Sequence, residues 1–202
     1  IGGTKTLNLS RIKELNPDLI IANKEENNQE QIKQLAKDYT VYISDIINLD
    51  DAYQCIIDIG KLVDKSNLAI NLVADIKEGF KTIKTRNHPI SCYYFIWENP
   101  YMIVGKHTFI NSILSKIQIN NLGNKLQDRY PIVDLEYILK SNPDYIFLSS
   151  EPFPFNENHL SLIQKSIPKC KVVLVDGEAF SWYGSRLKHS IKYFNHLLNS
   201  LT

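Results

Sequence analysis

Apolar and polar positions along this chain fall into short blocks whose period changes from one block to the next. Leu9 and Ile12 lie on one face at helical spacing, and the pattern stops at Asn16-Pro17, because the residue before a proline is pushed out of the α region. Residues 19–22 are then continuously apolar. A run that is short, apolar and flanked by turn residues predicts a buried parallel strand. The pattern returns further along, with Leu135, Ile138 and Leu139 ahead of Asn142-Pro143 and an apolar run at 145–148. The stretch from Leu9 to Ile21 therefore aligns with that from Leu135 to Phe147, with Asn8 and Asp134 as candidate N-caps.

Each copy continues in the same way. Residues 28–37 carry a helical pattern on Ile32, Leu35 and Ala36, followed by a strand at 41–43; residues 159–166 and 171–175 play the same parts in the second copy. Helix–strand–helix–strand, twice, predicts two α/β lobes with parallel sheets. The second copy has a preface: an aromatic-rich strand at 92–97, then a helix at 105–116 with Phe109, Ile110, Ile113 and Leu114 on one face. The first copy has none, since the chain opens at Ile1. By analogy a strand and helix of roughly 40–50 residues are expected ahead of it. Between the copies, apolar residues from Ala52 to Ile83 recur at helical spacing without a proline. As one helix, residues 50–86 would extend ~54 Å. Gly60, Asn67 and Gly79 interrupt the pattern, and a break near residues 65–67 is the alternative. The expected organisation is an N-terminal lobe at 1–49, a linking helix at 50–87 and a C-terminal lobe at 88–202.

Composition narrows the class of function. Apolar residues make up 44% and charged residues 22%, close to the average of soluble globular domains, which excludes a disordered or collagen-like chain. No apolar run approaches the roughly 18 residues of a membrane-spanning helix. Twenty-three basic against 22 acidic residues leave a net charge of +1, so no broad electrostatic footprint for nucleic acid is expected. Cys55, Cys92 and Cys170 lie far apart with no CxxC spacing, which is neither a disulfide framework nor a zinc site. His88, His107, His159, His189 and His196 do not cluster in sequence, and no HExxH, GxSxG, GxGxxG or Walker A pattern is present. No protein-held metal or cofactor is expected.

Three stretches carry a family resemblance. The first runs from Ile1-Gly2-Gly3 through Asn8-Leu9 to Leu15-Asn16-Pro17-Asp18-Leu19. The second is Trp97-Glu98-Asn99-Pro100-Tyr101 with Gly105-Lys106-His107-Thr108-Phe109. The third runs from Asp176-Gly177-Glu178 through Trp182-Tyr183 to Arg186. In this order they resemble the helical-backbone class of periplasmic substrate-binding proteins that serve ABC importers of cobalamin, iron–siderophore complexes and haem. The resemblance covers essentially the whole chain and is greatest to the cobalamin branch. It implies two Rossmann-like lobes joined by a long backbone helix, with a strand and helix ahead of the Ile1 segment. It also implies capture of a cobalamin or iron chelate, without catalysis, by a monomer that delivers its cargo to a membrane permease. A location in the periplasm, or on a lipid anchor at the outer face of the membrane, follows from the resemblance alone. Glu136 matches a glutamate with which family members dock on permease arginines; its first-lobe counterpart is Ser10, with Glu14 one turn on. The alternative role of Glu136 is to complement the helix dipole.

Candidate ligand contacts come from the loops at the carboxyl ends of the parallel strands, which should face a cleft between the lobes. These loops hold Trp97, Tyr101, Tyr130, Trp182 and Tyr183, with Phe153, Phe155 and Phe180 beside them. Flat aromatic walls bury much area at little entropic cost; the alternative is that the rings pack the lobe ends. Arg129 and Arg186 are candidates for a ligand carboxylate or phosphate, with a salt bridge inside the lobe or a helix-start contact as the alternative for Arg186; Arg86 is a third arginine of interest. The competing classes are a two-lobed Rossmann-like enzyme such as a glycosyltransferase, which would need a glycine-rich phosphate loop, and an interaction module without transport.

Overall fold

The computed structural model describes residues 1–84 and 88–201. Arg86 and the end of the 50–87 segment lie outside the described residues. The chain divides into two compact units, Ile1–Ile46 and Ile47–Thr202.

In the first unit, β1 (Gly2–Gly3) and β2 (Thr6–Leu7) form a small antiparallel hairpin. Then come α1 (Leu9–Leu15), β3 (Ile20–Asn23), α2 (Gln29–Leu35) and β4 (Val41–Ser44). Strands β3 and β4 pair in parallel from Ile20↔Val41 to Asn23↔Ser44. Helix α1 starts where the Asn8 side chain accepts the Arg11 N–H at 2.9 Å, and it stops at Asn16, whose φ of 43° is left-handed. The core is Ile12, Ala22, Ile32 and Leu35. Ile21 and Ile43 remain 51% and 50% exposed, so this short sheet buries one face more fully than the other.

The second unit opens with α3 (Leu49–Leu62) and α4 (Ser66–Lys81), followed by β5 (Ile90–Trp97), β6 (Met102–Ile103), α5 (Phe109–Lys116) and β7 (Ile119–Asn121). After a short 3-10 turn at Leu122–Lys125 come α6 (Leu135–Ser141), β8 (Tyr145–Ser149), α7 (Glu157–Ser166), β9 (Lys171–Val175), α8 (Gly177–Ser181) and α9 (Arg186–Ser200). In its five-stranded sheet, β8 and β9 lie parallel to β5 on one side; β7, parallel, and β6, antiparallel, share its other edge. Every residue of β8 is buried, as its continuous apolar run requires. Tyr93, Phe95, Ile138, Ile146, Leu148 and Ile163 form the centre of one core cluster. The repeat reproduces itself in detail: Asp134 caps α6 by accepting the Tyr137 N–H at 2.7 Å, and Asn142 ends it with φ 44°.

Two expectations are corrected. The segment 50–86 is not one helix. It breaks at residues 63–65, close to the alternative break at 65–67, because Asp64 takes a left-handed φ of 56° and the Lys65 N–H turns back to the Gly60 carbonyl at 2.6 Å. The break leaves Leu62, Val63 and Ile70 exposed although the pattern places them on the apolar face. The helix expected at 105–116 begins only at Phe109, since Thr108 caps it through the Asn111 N–H at 3.2 Å and His107 ahead of it is left-handed at φ 58°. Strands β1, β2, β6 and β7 and helix α8 are too short to show as periodic blocks.

Gly60 sits where α3 and α4 meet: a Cβ there would lie 2.3 Å from the Ala69 Cβ. Gly60→Ala is therefore expected to destabilise the second unit by about 1–3 kcal/mol, read as a lower urea midpoint.

Candidate functional site

The connections that leave the carboxyl ends of β5 and β8 diverge. From β5 the chain passes through α5 to β7 on one side; from β8 it passes through α7 to β9 on the other. Open α/β sheets bind ligands at such a switch point. Three loops gather here, after β5, β8 and β9, and they interlock. The Phe153 N–H donates to the Ile96 carbonyl at 3.3 Å and the Ser150 N–H to the Val175 carbonyl at 3.1 Å. The Gly177 N–H donates to the Ser150 hydroxyl at 2.9 Å.

The first half of the site is aromatic. Trp97 stacks edge-on against Phe153 with centroids 5.7 Å apart, and Phe153 against Phe155 at 4.7 Å. Phe155 is buried, whereas Trp97 is 42% exposed. His159 packs on both phenylalanines, at 5.3 and 5.6 Å. Its Nδ1 accepts the Asn156 N–H at 3.1 Å, helping to cap α7, so its Nε2 is free to face Glu98 at 3.4 Å.

The second half is built around Glu151 and α8. Gly177 lies so close to the end of β8 that a Cβ would stand 2.5 Å from the Ser149 Oγ and 2.6 Å from the Glu151 Cγ. This approach brings the end of α8 over Glu151. One carboxylate oxygen, Oε1, accepts from the Ser181 hydroxyl at 2.5 Å and from the Trp182 indole Nε1 at 2.9 Å. Trp182 is held by its nitrogen while 51% of its surface stays exposed. Asp176 caps α8 by accepting the Ala179 N–H at 3.2 Å, and its backbone N–H donates to the Tyr193 hydroxyl at 2.9 Å. Arg186 Nη2 pairs with Asp176 and with Glu178, each at 3.2 Å. Below them Tyr94 shares a hydrogen bond with Ser149 at 3.1 Å; burial drives its phenol far above the usual range, with the Glu151 and Asp176 charges adding to the effect.

The remaining candidates lie in the same unit. Tyr183 stacks edge-on over Phe109 at 5.6 Å. Tyr101 packs on Phe95 at 5.4 Å, and burial, reinforced by Glu98, raises its phenol pKa. The Arg129 guanidinium lies 5.8 Å over the Tyr130 ring, with its Nε and Nη2 buried. Thus Trp97, Phe153 and Phe155 come together, as do Trp182 and Arg186 through α8; Arg129 and Tyr130 form a separate pair beside Gly105, whose N–H donates to the Arg129 carbonyl at 2.8 Å. For Arg186 the geometry is the salt bridge inside the lobe. Glu136 projects from the first turn of α6, exposed and paired with Lys140 at 2.7 Å; Glu14 pairs with Arg11 at 2.8 Å. Sequence reasoning did not single out Glu98, Glu151 or His159. The positions of Glu98 and Glu151 just past strand ends, and of His159 in the first turn of α7, were the available signal, but their partners are 61, 30 and 31 residues distant for Glu98–His159, Glu151–Ser181 and Glu151–Trp182. Among the described residues no three His, Cys, Asp or Glu side chains form a metal-holding group, and no helix is long and apolar enough to cross a membrane. Cys55, Cys92 and Cys170 are buried, and burial pushes the Cys170 thiol up to about 12.

Residues 1–167 match the family model for periplasmic binding proteins. A vitamin B12-binding protein of Vibrio cholerae serotype O1 is 24% identical over 153 residues, 74% of this chain and 55% of that protein; the chain spans about half the length of the curated relatives it matches. Among solved structures, a possible iron-binding, periplasmic solute-binding protein from Staphylococcus epidermidis superposes with a TM-score of 0.79 at 22% identity, covering 96% of this chain and 81% of that one. The periplasmic vitamin B12 binding protein of Vibrio cholerae gives 0.73 at 19% identity, over 97% and 79% of the two chains. The periplasmic heme binding protein of the same organism gives 0.79 at 16% identity, over 96% and 82%. At these identities the structures establish a shared α/β fold.

Asp176 holds both the α8 cap and one side of Arg186. Asp176→Ala is expected to cost about 1–2 kcal/mol, mostly from the cap, since a part-exposed ion pair contributes little; equilibrium denaturation followed by circular dichroism reads the change.

Proposed function

The chain belongs to the periplasmic binding protein family, and on that premise we propose that it is the ligand-capturing component of an ABC importer. Its cargo in this reading is a cobalamin, an iron–siderophore complex or a related metal chelate such as haem. The observation that carries the reading is the pair of exposed tryptophans at the carboxyl end of the second unit's sheet: Trp97 is braced on Phe153 and Trp182 is held by Glu151. Rings fixed by neighbours and open on a face bury a large flat ligand with little loss of side-chain entropy. Tyr101, Tyr130 and Tyr183 extend the aromatic lining in this reading, with Arg129 and Arg186 as the cationic residues of the ligand-binding set. Any metal arrives as part of the ligand, so the protein needs no cofactor of its own and does no chemistry. It works as a monomer, in the periplasm or tethered by lipid at the outer face of the membrane, with no role for nucleic acid.

Delivery requires contact with a membrane permease. Glu136 suits that contact: it is exposed, and its partner Lys140 lies one turn away on the same helix, a pair weak enough to exchange for a permease arginine. Glu136→Arg is expected to lower uptake in a reconstituted importer more than it lowers ligand affinity, with both measured on the same variant.

Capture is tested by titrating tryptophan fluorescence with cyanocobalamin, haemin and a ferric siderophore. Saturable quenching by one of them is expected. In Trp182→Ala the affinity for that ligand should fall about thirty-fold, the roughly 2 kcal/mol lost when a central tryptophan is removed. A folded protein that responds to none of the three refutes the reading.

A further inference from the structure

Glu151 does two things at once in this site. Its Oε1 takes both available donors, the Ser181 hydroxyl and the Trp182 indole. Neither donor is charged. Among the described residues it has no ion-pair partner, unlike Glu98, Asp176 and Glu178 nearby. Its Oε2 makes no hydrogen bond among the described residues, and the residue is half-buried. The side chain also has little room to swing away, because α8 approaches it as closely as a glycine permits.

Neither candidate arginine is an ion-pair or hydrogen-bond partner of Glu151 among the described residues. Arg186 holds Asp176 and Glu178. Arg129 lies over Tyr130 with two of its guanidinium nitrogens buried. A carboxylate brought against Trp182 would meet the Glu151 carboxylate, and would have to compete with Asp176 and Glu178 for Arg186. An uncharged ligand bearing amide N–H groups, or a cationic one, would instead find an open acceptor beside a flat ring.

We propose that Glu151 is a specificity-determining residue of this face: it fixes the Trp182 indole as a ligand wall and biases the site toward an uncharged or cationic ligand over one that carries carboxylates. The inference rests on the ligand-capture reading above. The test titrates the full chain, Glu151→Gln and Glu151→Leu with cyanocobalamin, which is uncharged and amide-rich, and with haemin, which carries two carboxylates. Circular dichroism melts establish that each variant is folded. Wild type is expected to bind cyanocobalamin about ten-fold more tightly than haemin. Glu151→Gln removes the charge but keeps an oxygen for the indole, and the ratio of the two affinities should shrink about five-fold. Glu151→Leu removes both; cyanocobalamin affinity should fall about ten-fold and the tryptophan emission shift, with glutamine restoring most of each. Haemin bound as tightly as cyanocobalamin by wild type, or a ratio unmoved in Glu151→Gln, overturns the inference and leaves ligand capture standing. A wild-type protein that binds neither probe nor a ferric siderophore overturns both.

Discussion

The approach of Gly177 to the end of β8 is the contact on which the candidate site depends. A side chain at that position would collide with Ser149 and Glu151, so the first turn of α8 lies directly on the loop that follows β8. From that approach come the hydrogen bond from Gly177 to Ser150, the cover that Ser181 and Trp182 place over Glu151, and the turn that carries Arg186 back to Asp176. Backbone contact of this kind positions side chains more tightly than packing between flexible groups, because it has few rotamers to lose. It also holds a tryptophan half exposed in one orientation.

That exposure runs against the usual economy of a folded surface. Trp97 and Trp182 rank among the exposed large apolar side chains, yet each is tied down, one by edge-on stacking and the other by its indole nitrogen. Scattered apolar residues on a surface need no explanation. Two braced indoles at the carboxyl end of one mostly parallel sheet are a different matter, since open α/β sheets carry their ligands at that end. Around them the charges are arranged unevenly: the guanidinium of Arg186 is spent on two carboxylates, His159 faces Glu98, and Glu151 serves only neutral donors. The result is a face that is flat, apolar and locally acidic.

The scaffold behind the site shows how a short repeat can be written into local chemistry. Both copies start a seven-residue helix with a capping side chain and end it with an asparagine in the left-handed region. Asparagine tolerates that conformation better than other side chains, and the proline that follows prevents the helix from resuming. A parallel strand then follows in each, buried throughout in the second copy and half-exposed in the first. The hairpin of α3 and α4 obeys a different logic. Its apolar periodicity suits one long helix, but a left-handed Asp64 and a glycine that admits Ala69 at close range turn the chain back.

Where the determinants are local, the sequence decides the outcome by itself. The repeat, its caps, the parallel strands and the α/β class were legible because hydrophobic period, N-capping side chains and Asn-Pro stops act within a few residues; the exposure of Ile21 in the first strand was not, since the apolar run predicts a buried one. The aromatic loops were legible too, since strand ends can be placed from the same pattern. The reversal at residues 63–65 was legible only as the alternative to one long helix, because the tendency of Asp64 to go left-handed is weak until Ala69 packs on Gly60. The partners of Glu98, Glu151, His159 and Arg186 were not legible. Each pairing joins loops from different strands, and which carboxylate meets which cation or indole depends on strand order and on distances of a few ångströms. Only the tertiary structure sets those, because the energy of a hydrogen bond or an ion pair falls steeply with separation while the chain between the partners leaves that separation open.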